Sequence, residues 1–157
     1  MSFRTDVRPP SHALLLVSGD RGDATDRSSY SRTPTVSSGA TFATRCIDFD
    51  GTSNAVVSYP DNAEMETFPL SISAWIRIDS YTGFRAIASK VSQATNYFGW
   101  HFYYAPSLSR GLAFGHTNHT GLPVVTNYRQ AWTASGALSA GTWYHVGMTI
   151  DALGNVP

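Results

Sequence analysis

The clearest pattern in the chain is a strict alternation of apolar and polar residues in two segments. In residues 71–79 every second side chain is apolar: Ile72, Ala74, Ile76 and Ile78. In residues 143–150 the same spacing is shown by Tyr144, Val146, Met148 and Ile150, with Trp143, His145 and Thr149 opposite them. A period of two places each apolar set on one face of a strand. Each segment is therefore predicted to be a strand with one buried face.

Shorter segments extend this pattern along most of the chain. Further strands are predicted at residues 13–17, 46–49, 55–59, 85–89, 97–104 and 111–116. Turn residues separate them, as at Asp50-Gly51. No window shows the period of 3.6 residues that indicates a helix. Many short strands joined by turns are typical of a β-sandwich or jelly roll.

Composition narrows the classes of function. Charged residues make up 14% of the 157-residue chain, against about 25% in soluble domains, and the formal net charge is +0. This balance gives no basis for a nucleic-acid partner. Cys46 is the single cysteine, which excludes an intrachain disulfide. The apolar run at residues 13–17 is too short for a signal peptide or a membrane span, which predicts neither secretion nor membrane insertion.

Five stretches, taken in order, resemble the laminin-G-like branch of the concanavalin A-like lectin/glucanase superfamily. Four are IDFDGTSNAVVSYPD, LSISAWIRID, IASK and GTWYHVGMTIDALGNV. The fifth, upstream, runs from ALLLVSGDRGDATDRSS to SSGATFATR and resembles the opening of copies found in phage structural proteins. The resemblance implies an all-β, concanavalin A-like jelly-roll sandwich of two antiparallel sheets over residues 11–157. Residues 1–10, which end in Pro9-Pro10, are predicted to form an extended N-terminal arm.

The chain departs from the family's pattern in one respect. In the family, the strand that corresponds to residues 143–150 is followed by several more strands, whereas this chain stops at Pro157. The last strands of the jelly roll are therefore expected to be missing. Either the chain is a truncated version of a longer protein, or a neighbouring chain supplies the missing strands.

The most aromatic stretch, residues 97–104, is the candidate glycan-binding site. If Phe98, Trp100 and Phe102 face the core, the opposite face carries Tyr97, His101 and Tyr103. Tyr128 and Trp132 belong to a polar segment that we predict to be a loop above this strand. Aromatic faces stack on sugar rings, and polar neighbours orient the hydroxyls. The alternative is that all these aromatic residues pack between the two sheets.

Acidic residues suggest two further possibilities. Some relatives hold calcium near the sheet rim, and Asp20, Asp48 and Asp50 are the candidate ligands here; alternatively, these aspartates stabilise turns. Asp48 with Asp50, and Glu64 with Glu66, are spaced two apart. On one strand face this spacing puts the carboxyl groups only slightly further apart than the separation of about 5–5.5 Å that a retaining glycosidase needs. The dense acidic strand of the glucanases is absent, so the chain is predicted not to be an enzyme.

Three functions follow, in order of preference. The first is a recognition or adhesion module in a virion tail, fibre or decoration protein, which contacts cell-surface glycans or other subunits. The second is a purely architectural subunit without a ligand, in which the arm docks onto a partner. The third is a glycoside hydrolase. For the first two, the expected partners are other subunits of the assembly, including copies of the chain itself, and the expected location is the virion or the medium after release.

Overall fold

The fold is built almost entirely from short antiparallel strands. A computed structural model describes residue 13 and residues 15–17, 22–43, 45–80, 83–92, 98–106, 110–117 and 128–151. These residues form ten strands and a 3₁₀ helix, Ala63–Glu66. Within the same residues, no helix is long and apolar enough to cross a membrane. The chain divides into two compact units, Met1–Glu64 and Met65–Pro157.

The first unit contains two small antiparallel sheets of two strands each. Strand β1 (Thr35–Val36) pairs with β4 (Val57–Ser58), and β2 (Ala40–Ala43) pairs with β3 (Cys46–Phe49). Arg45, with φ of 67°, lies in the tight connection between β2 and β3. Sheets of this size bury little apolar surface, so other contacts must stabilise the unit.

Asp26 supplies the central polar contact of this first unit. Its Oδ1 accepts hydrogen bonds from the backbone N–H groups of Leu16 (3.2 Å) and Ser28 (2.9 Å). Its Oδ2 accepts from the backbone N–H of Arg32 at 3.1 Å and forms an ion pair with Arg32 Nη1 at 3.3 Å. Both side chains of this ion pair are buried. One carboxylate thus fixes three backbone positions of an irregular segment.

Two larger sheets make up the second unit. Strand β5 (Leu70–Arg77) pairs antiparallel with β10 (Trp143–Ile150) along all eight residues. The other sheet contains four antiparallel strands in chain order, which are β6 (Arg85–Ser92), β7 (Phe98–Tyr104), β8 (Arg110–Thr117) and β9 (Tyr128–Ala134). The consecutive order means that each strand of this sheet pairs with its neighbour in sequence.

Both sheets of the second unit contribute to one apolar core. Trp100, Phe102 and Phe114 come from the four-stranded sheet, and Val146 and Ile150 come from β10. Apolar residues of β5 and β10 pack against them: Leu70, Ile72, Ala74, Ile76, Tyr144 and Met148. The prediction of an all-β sandwich of antiparallel sheets is confirmed.

The most marked differences between the predicted and the observed strands are at residues 128–134 and 13–17. Residues 128–134 form β9, so the prediction of a loop across this segment is wrong. This strand pairs with β8 through its backbone. Its sequence, YRQAWTA, has no alternation of apolar and polar residues, so the pattern did not indicate a strand. At residues 13–17, the described residues show an isolated bridge between Val17 and Asp26 rather than a strand. The proposed division into residues 1–10 and 11–157 stays a prediction.

Candidate functional site

The candidate site lies on the face of the four-stranded sheet that points away from the shared core. Backbone register places side chains of all four strands in rows across this face, because directly paired residues point the same way. The first row is Ala86, Tyr103, Ala113 and Trp132. The second row is Ser89, His101, Gly115 and Gln130. Two predicted residues of β7 and one predicted residue of β9 therefore share this face.

Small residues in the central strand β8 allow side chains of its two neighbours to meet. Strands β7 and β9 are about 10 Å apart, which is two strand spacings, and between them lie Ala113 and Gly115. Gln130 extends across this gap, and its Nε2 donates a hydrogen bond to the Tyr103 hydroxyl. A bulky residue in β8 would block this contact.

Tyr103 forms the buried base of the site. It is 2% exposed, and its ring stacks on that of Phe84 with centroids 4.5 Å apart and an interplanar angle of 26°. Neither face of its ring is open enough for a sugar to stack on it. Its contribution is to hold Phe84 and Gln130 in place, and the sequence prediction of a stacking role is replaced by this supporting role.

His101 adds a polar group next to Tyr103. The two rings meet edge to face, with centroids 4.8 Å apart. Burial lowers the pKa of His101 below its usual value of 6.5. The imidazole is therefore neutral at pH 7, with one nitrogen that donates and one that accepts a hydrogen bond. This combination suits a hydroxyl ligand, which both donates and accepts.

The lowered pKa of His101 predicts a loss of stability in mild acid. Because the folded chain binds the proton less readily, the unfolded chain takes it up first as the pH falls. The contribution is complete above about pH 6.5 and is lost between that pH and the lower pKa of the folded chain. Urea unfolding at pH steps from 7.5 to 5 measures it, and His101→Gln should flatten the curve. An equally steep curve for H101Q would contradict the assignment.

Two exposed aromatic rings complete the site, which we call the four-stranded face: Phe84, His101, Tyr103, Gln130 and Trp132. Trp132 is 55% exposed and Phe84 is 52% exposed. Phe84, which precedes β6, stacks on Tyr103, whereas Trp132 lies in the same row two strands away, in β9. The arrangement offers apolar ring faces at its margins and hydrogen-bonding groups at its centre.

Little is described of the remaining predicted glycan-binding residues, Tyr97 and Tyr128. Tyr97 lies outside the described residues, and Tyr128 is described only as a backbone position at the start of β9. Sequence reasoning missed Phe84 and Gln130. Phe84 is an isolated apolar residue before a strand, and no sequence signal links it to Tyr103. Gln130 was detectable only once residues 128–134 had been recognised as a strand.

Two of the three proposed calcium ligands, Asp48 and Asp50, lie among the described residues. Asp48 and Asp50 are both exposed, and Asp50 Oδ1 accepts hydrogen bonds from the backbone N–H and the hydroxyl of Thr52 at 2.8 and 2.7 Å. These bonds lower the pKa of Asp50. Asp20 lies outside the described residues. Among the described residues, no group of three or more His, Cys, Asp or Glu side chains could hold a metal ion. Calcium requires six to eight oxygen ligands, more than two carboxylates supply. Because Asp20 is not described, the calcium site stays a prediction.

The two glutamates have partners of their own. Glu64 accepts a hydrogen bond from the Tyr30 hydroxyl, and Glu66 forms an ion pair with Lys90 at 3.1 Å. Each carboxylate is thus engaged by a different neighbour. A pair of catalytic carboxylates would instead face one another across a cleft.

Comparisons with known proteins agree with the all-β architecture. A family model described as the concanavalin A-like lectin/glucanases superfamily, of the laminin G type, matches residues 50–156. No curated protein and no solved structure matches the chain. The matched residues include the whole four-stranded sheet and both strands of its partner sheet.

Proposed function

Because the chain belongs to the concanavalin A-like lectin/glucanases superfamily, we propose that it is a non-catalytic recognition module that binds glycans on the four-stranded face. The observation that carries the proposal is the position of Trp132. This exposed ring shares a face with the hydrogen-bonded pair of Gln130 and Tyr103 and with the neutral His101. An aromatic platform beside a few fixed polar groups is the usual composition of a saccharide site.

Each part of the face has a distinct role in this proposal. Trp132 and Phe84 stack on the apolar C–H faces of sugar rings. His101 and Gln130 exchange hydrogen bonds with the hydroxyl groups, and Tyr103 keeps both polar groups oriented. Binding at this face needs no residue with nucleophilic or acid–base function, and the partners of Glu64 and Glu66 support a non-catalytic role.

The biological setting is also proposed rather than observed. Support for a virion tail, fibre or decoration protein comes from the resemblance of residues 13–45 to the opening of domains in phage structural proteins. In that setting the module would attach the particle to surface glycans of a host cell. Self-association of the chain is part of this proposal, and light scattering at several protein concentrations measures it.

Trp132→Ala tests the glycan proposal. Loss of one stacked ring should weaken glycan binding about tenfold, equivalent to roughly 1.4 kcal/mol. The measurement is binding of the wild-type chain and the variant to an immobilised panel of oligosaccharides, followed by calorimetry with the tightest binder. Phe49→Ala is the matched control, because Phe49 is an exposed aromatic residue in the first unit.

Three results would contradict the proposal. The first is that no oligosaccharide binds to the wild-type chain. The second is that W132A binds as tightly as the wild type. The third is that the F49A control loses binding to the same extent. A stable oligomer without glycan affinity would instead favour the architectural role.

A further inference from the structure

The other sheet of the second unit has an outward face with unusual side chains. Strands β5 and β10 direct one set of residues into the core and the other set away from it. Four cross-strand pairs form the outward set, which we call the two-stranded face: Arg77 with Trp143, Trp75 with His145, Ser73 with Gly147, and Ser71 with Thr149. Sequence alternation had placed these residues opposite the core, but their joint chemistry becomes visible only with the register.

Two tryptophans dominate one half of this face. Trp75 is 67% exposed and Trp143 is 45% exposed. They are diagonal neighbours on adjacent strands, a relation that brings residues within about 7–8 Å of each other. His145 lies against Trp75 with ring centroids 5.2 Å apart. Exposed tryptophans are costly to hydrate, and their clustering on a flat face indicates a binding surface.

The other half of the face is polar, small and flat. Ser71, Ser73 and Thr149 are exposed and offer hydroxyl groups. Gly147 has no side chain, so bare backbone lies opposite Ser73, one cross-strand pair along from Trp75 and His145. A ligand that stacks on the indoles can therefore continue along the strands and meet hydroxyl donors and acceptors.

Charge on this face is balanced within the face. Arg77 lies over the Trp143 ring, 5.7 Å from its centroid. Its guanidinium also contacts Asp79 through two bonds, Nε to Oδ1 at 3.0 Å and Nη2 to Oδ2 at 3.1 Å. Because Asp79 neutralises Arg77, the face favours a neutral ligand over an anionic one.

The size of the face also restricts its ligand. Eight residues of strand extend roughly 25 Å, and two strands are roughly 10 Å wide. The resulting area of about 250 Å² is well below the ~800 Å² per partner of a stable protein interface. It is enough for a few units of a linear chain lying along the strands.

We infer that the two-stranded face binds a neutral, unbranched polysaccharide chain, which stacks on Trp75 and Trp143 and extends along the hydroxyl half. This site is on the opposite side of the sandwich from the four-stranded face and does not depend on it. A module with both sites would hold a short glycan on one side and a polysaccharide chain on the other.

Affinity electrophoresis of the full chain tests this inference. The probes are soluble neutral polysaccharides, namely hydroxyethylcellulose, laminarin, glucomannan and arabinoxylan, with polygalacturonate as the acidic comparison. At least one neutral polymer should retard the wild-type chain. Trp75→Ala and Trp143→Ala should each weaken this affinity about tenfold. Trp75→Tyr should retain most of the affinity, and Phe49→Ala, at an exposed aromatic residue outside both faces, should leave it unchanged.

A blocking variant separates loss of binding from loss of folding. Ser73→Arg keeps both rings and places a long, charged side chain on an exposed strand position, so it should fold normally and lose the affinity. Matching melting temperatures of all variants and the wild type confirm that the sheet is intact. Addition of 0.5 M NaCl should not change the retardation, because the ligand is neutral.

Several outcomes would overturn the inference. They are a lack of retardation by every neutral polysaccharide, full affinity in both tryptophan-to-alanine variants, or normal binding by S73R. Retardation by polygalacturonate alone, abolished by salt, would identify an anion site instead. Binding of a proline-rich peptide in place of all polysaccharides would assign the face to a protein partner.

Discussion

Replacing Asp26 with alanine is expected to lower the free energy of unfolding by about 3–5 kcal/mol. The substitution leaves the buried guanidinium of Arg32 without its carboxylate. It also removes the acceptor for the backbone N–H groups of Leu16, Ser28 and Arg32. Loss of the carboxylate that faces a buried charge, together with orphaned backbone donors, is among the largest single-site penalties known in proteins.

Asp23→Ala provides the matched control for this prediction. Asp23 lies in the same segment and forms an ion pair with Arg27 at 3.1 Å, but both side chains are partly exposed. Its removal should cost less than about 1.5 kcal/mol. Urea unfolding measures both variants, and hydrogen exchange at the Leu16, Ser28 and Arg32 amides shows whether the loss is local. Equal destabilisation by D23A and D26A would contradict the role given to Asp26.

Acid should remove the same contribution without a mutation. Burial alone raises the pKa of Asp26, but hydrogen bonds from Ser28 and from the backbone of Arg32 and Leu16 outweigh it, and the net pKa is lowered. The stabilisation is therefore present above about pH 4 and is lost as the pH falls through the lower pKa of the folded chain. In D26A this acid-dependent part of the stability curve should be absent.

Replacing Gly99 with alanine is expected to cost about 3 kcal/mol or more. A Cβ at this position would lie 1.9 Å from the carbonyl oxygen of Lys90 in the neighbouring strand β6. Backbone φ at Gly99 is also +125°, a region that residues with a side chain rarely adopt. Since the atom that clashes belongs to the backbone, β6 and β7 must separate to relieve the contact.

Gly136→Ala separates the cost of the clash from the cost of the backbone angle. Gly136 also has a positive φ, +80°, but no atom lies within 4 Å of its added Cβ. Its substitution should cost about 1 kcal/mol. Calorimetric melting of both variants measures the difference. If G99A were no less stable than G136A, the close approach of β6 and β7 would be wrong.

Sequence alone could predict the strands whose one face is buried. Residues 143–150 form β10 with the predicted bounds, and residues 71–79 overlap β5. In both segments an apolar residue occurs at every second position, in series that include Ile72 and Val146. Strand β9 could not be recognised in this way. Its pairing with β8 is fixed by backbone hydrogen bonds, which leave no periodic signal in residues 128–134.

The candidate site was predictable only in part, for a related reason. Alternation placed His101 and Tyr103 on one face of β7, but the burial of Tyr103 depends on Phe84, which comes from before another strand. Likewise, the ion pair of Asp26 with Arg32 lies in a segment without any alternation of apolar and polar residues, so no sequence pattern indicates it. Contacts between separate strands or loops depend on register and chain path rather than on local composition.

The four tryptophans offer the most direct test of glycan recognition by the four-stranded face. Trp132 reports on this face, Trp75 and Trp143 report on the opposite sheet, and Trp100 is a core control whose Nε1 donates to the carbonyl of Met65 at 2.7 Å. The measurement is a titration of the ¹⁵N-labelled chain, observed at its indole N–H signals, with the oligosaccharide that binds most tightly in the panel. The Trp132 signal should shift until saturation while that of Trp100 stays in place. A Trp132 signal that remains unchanged at saturation would contradict the assignment of this face as the binding site.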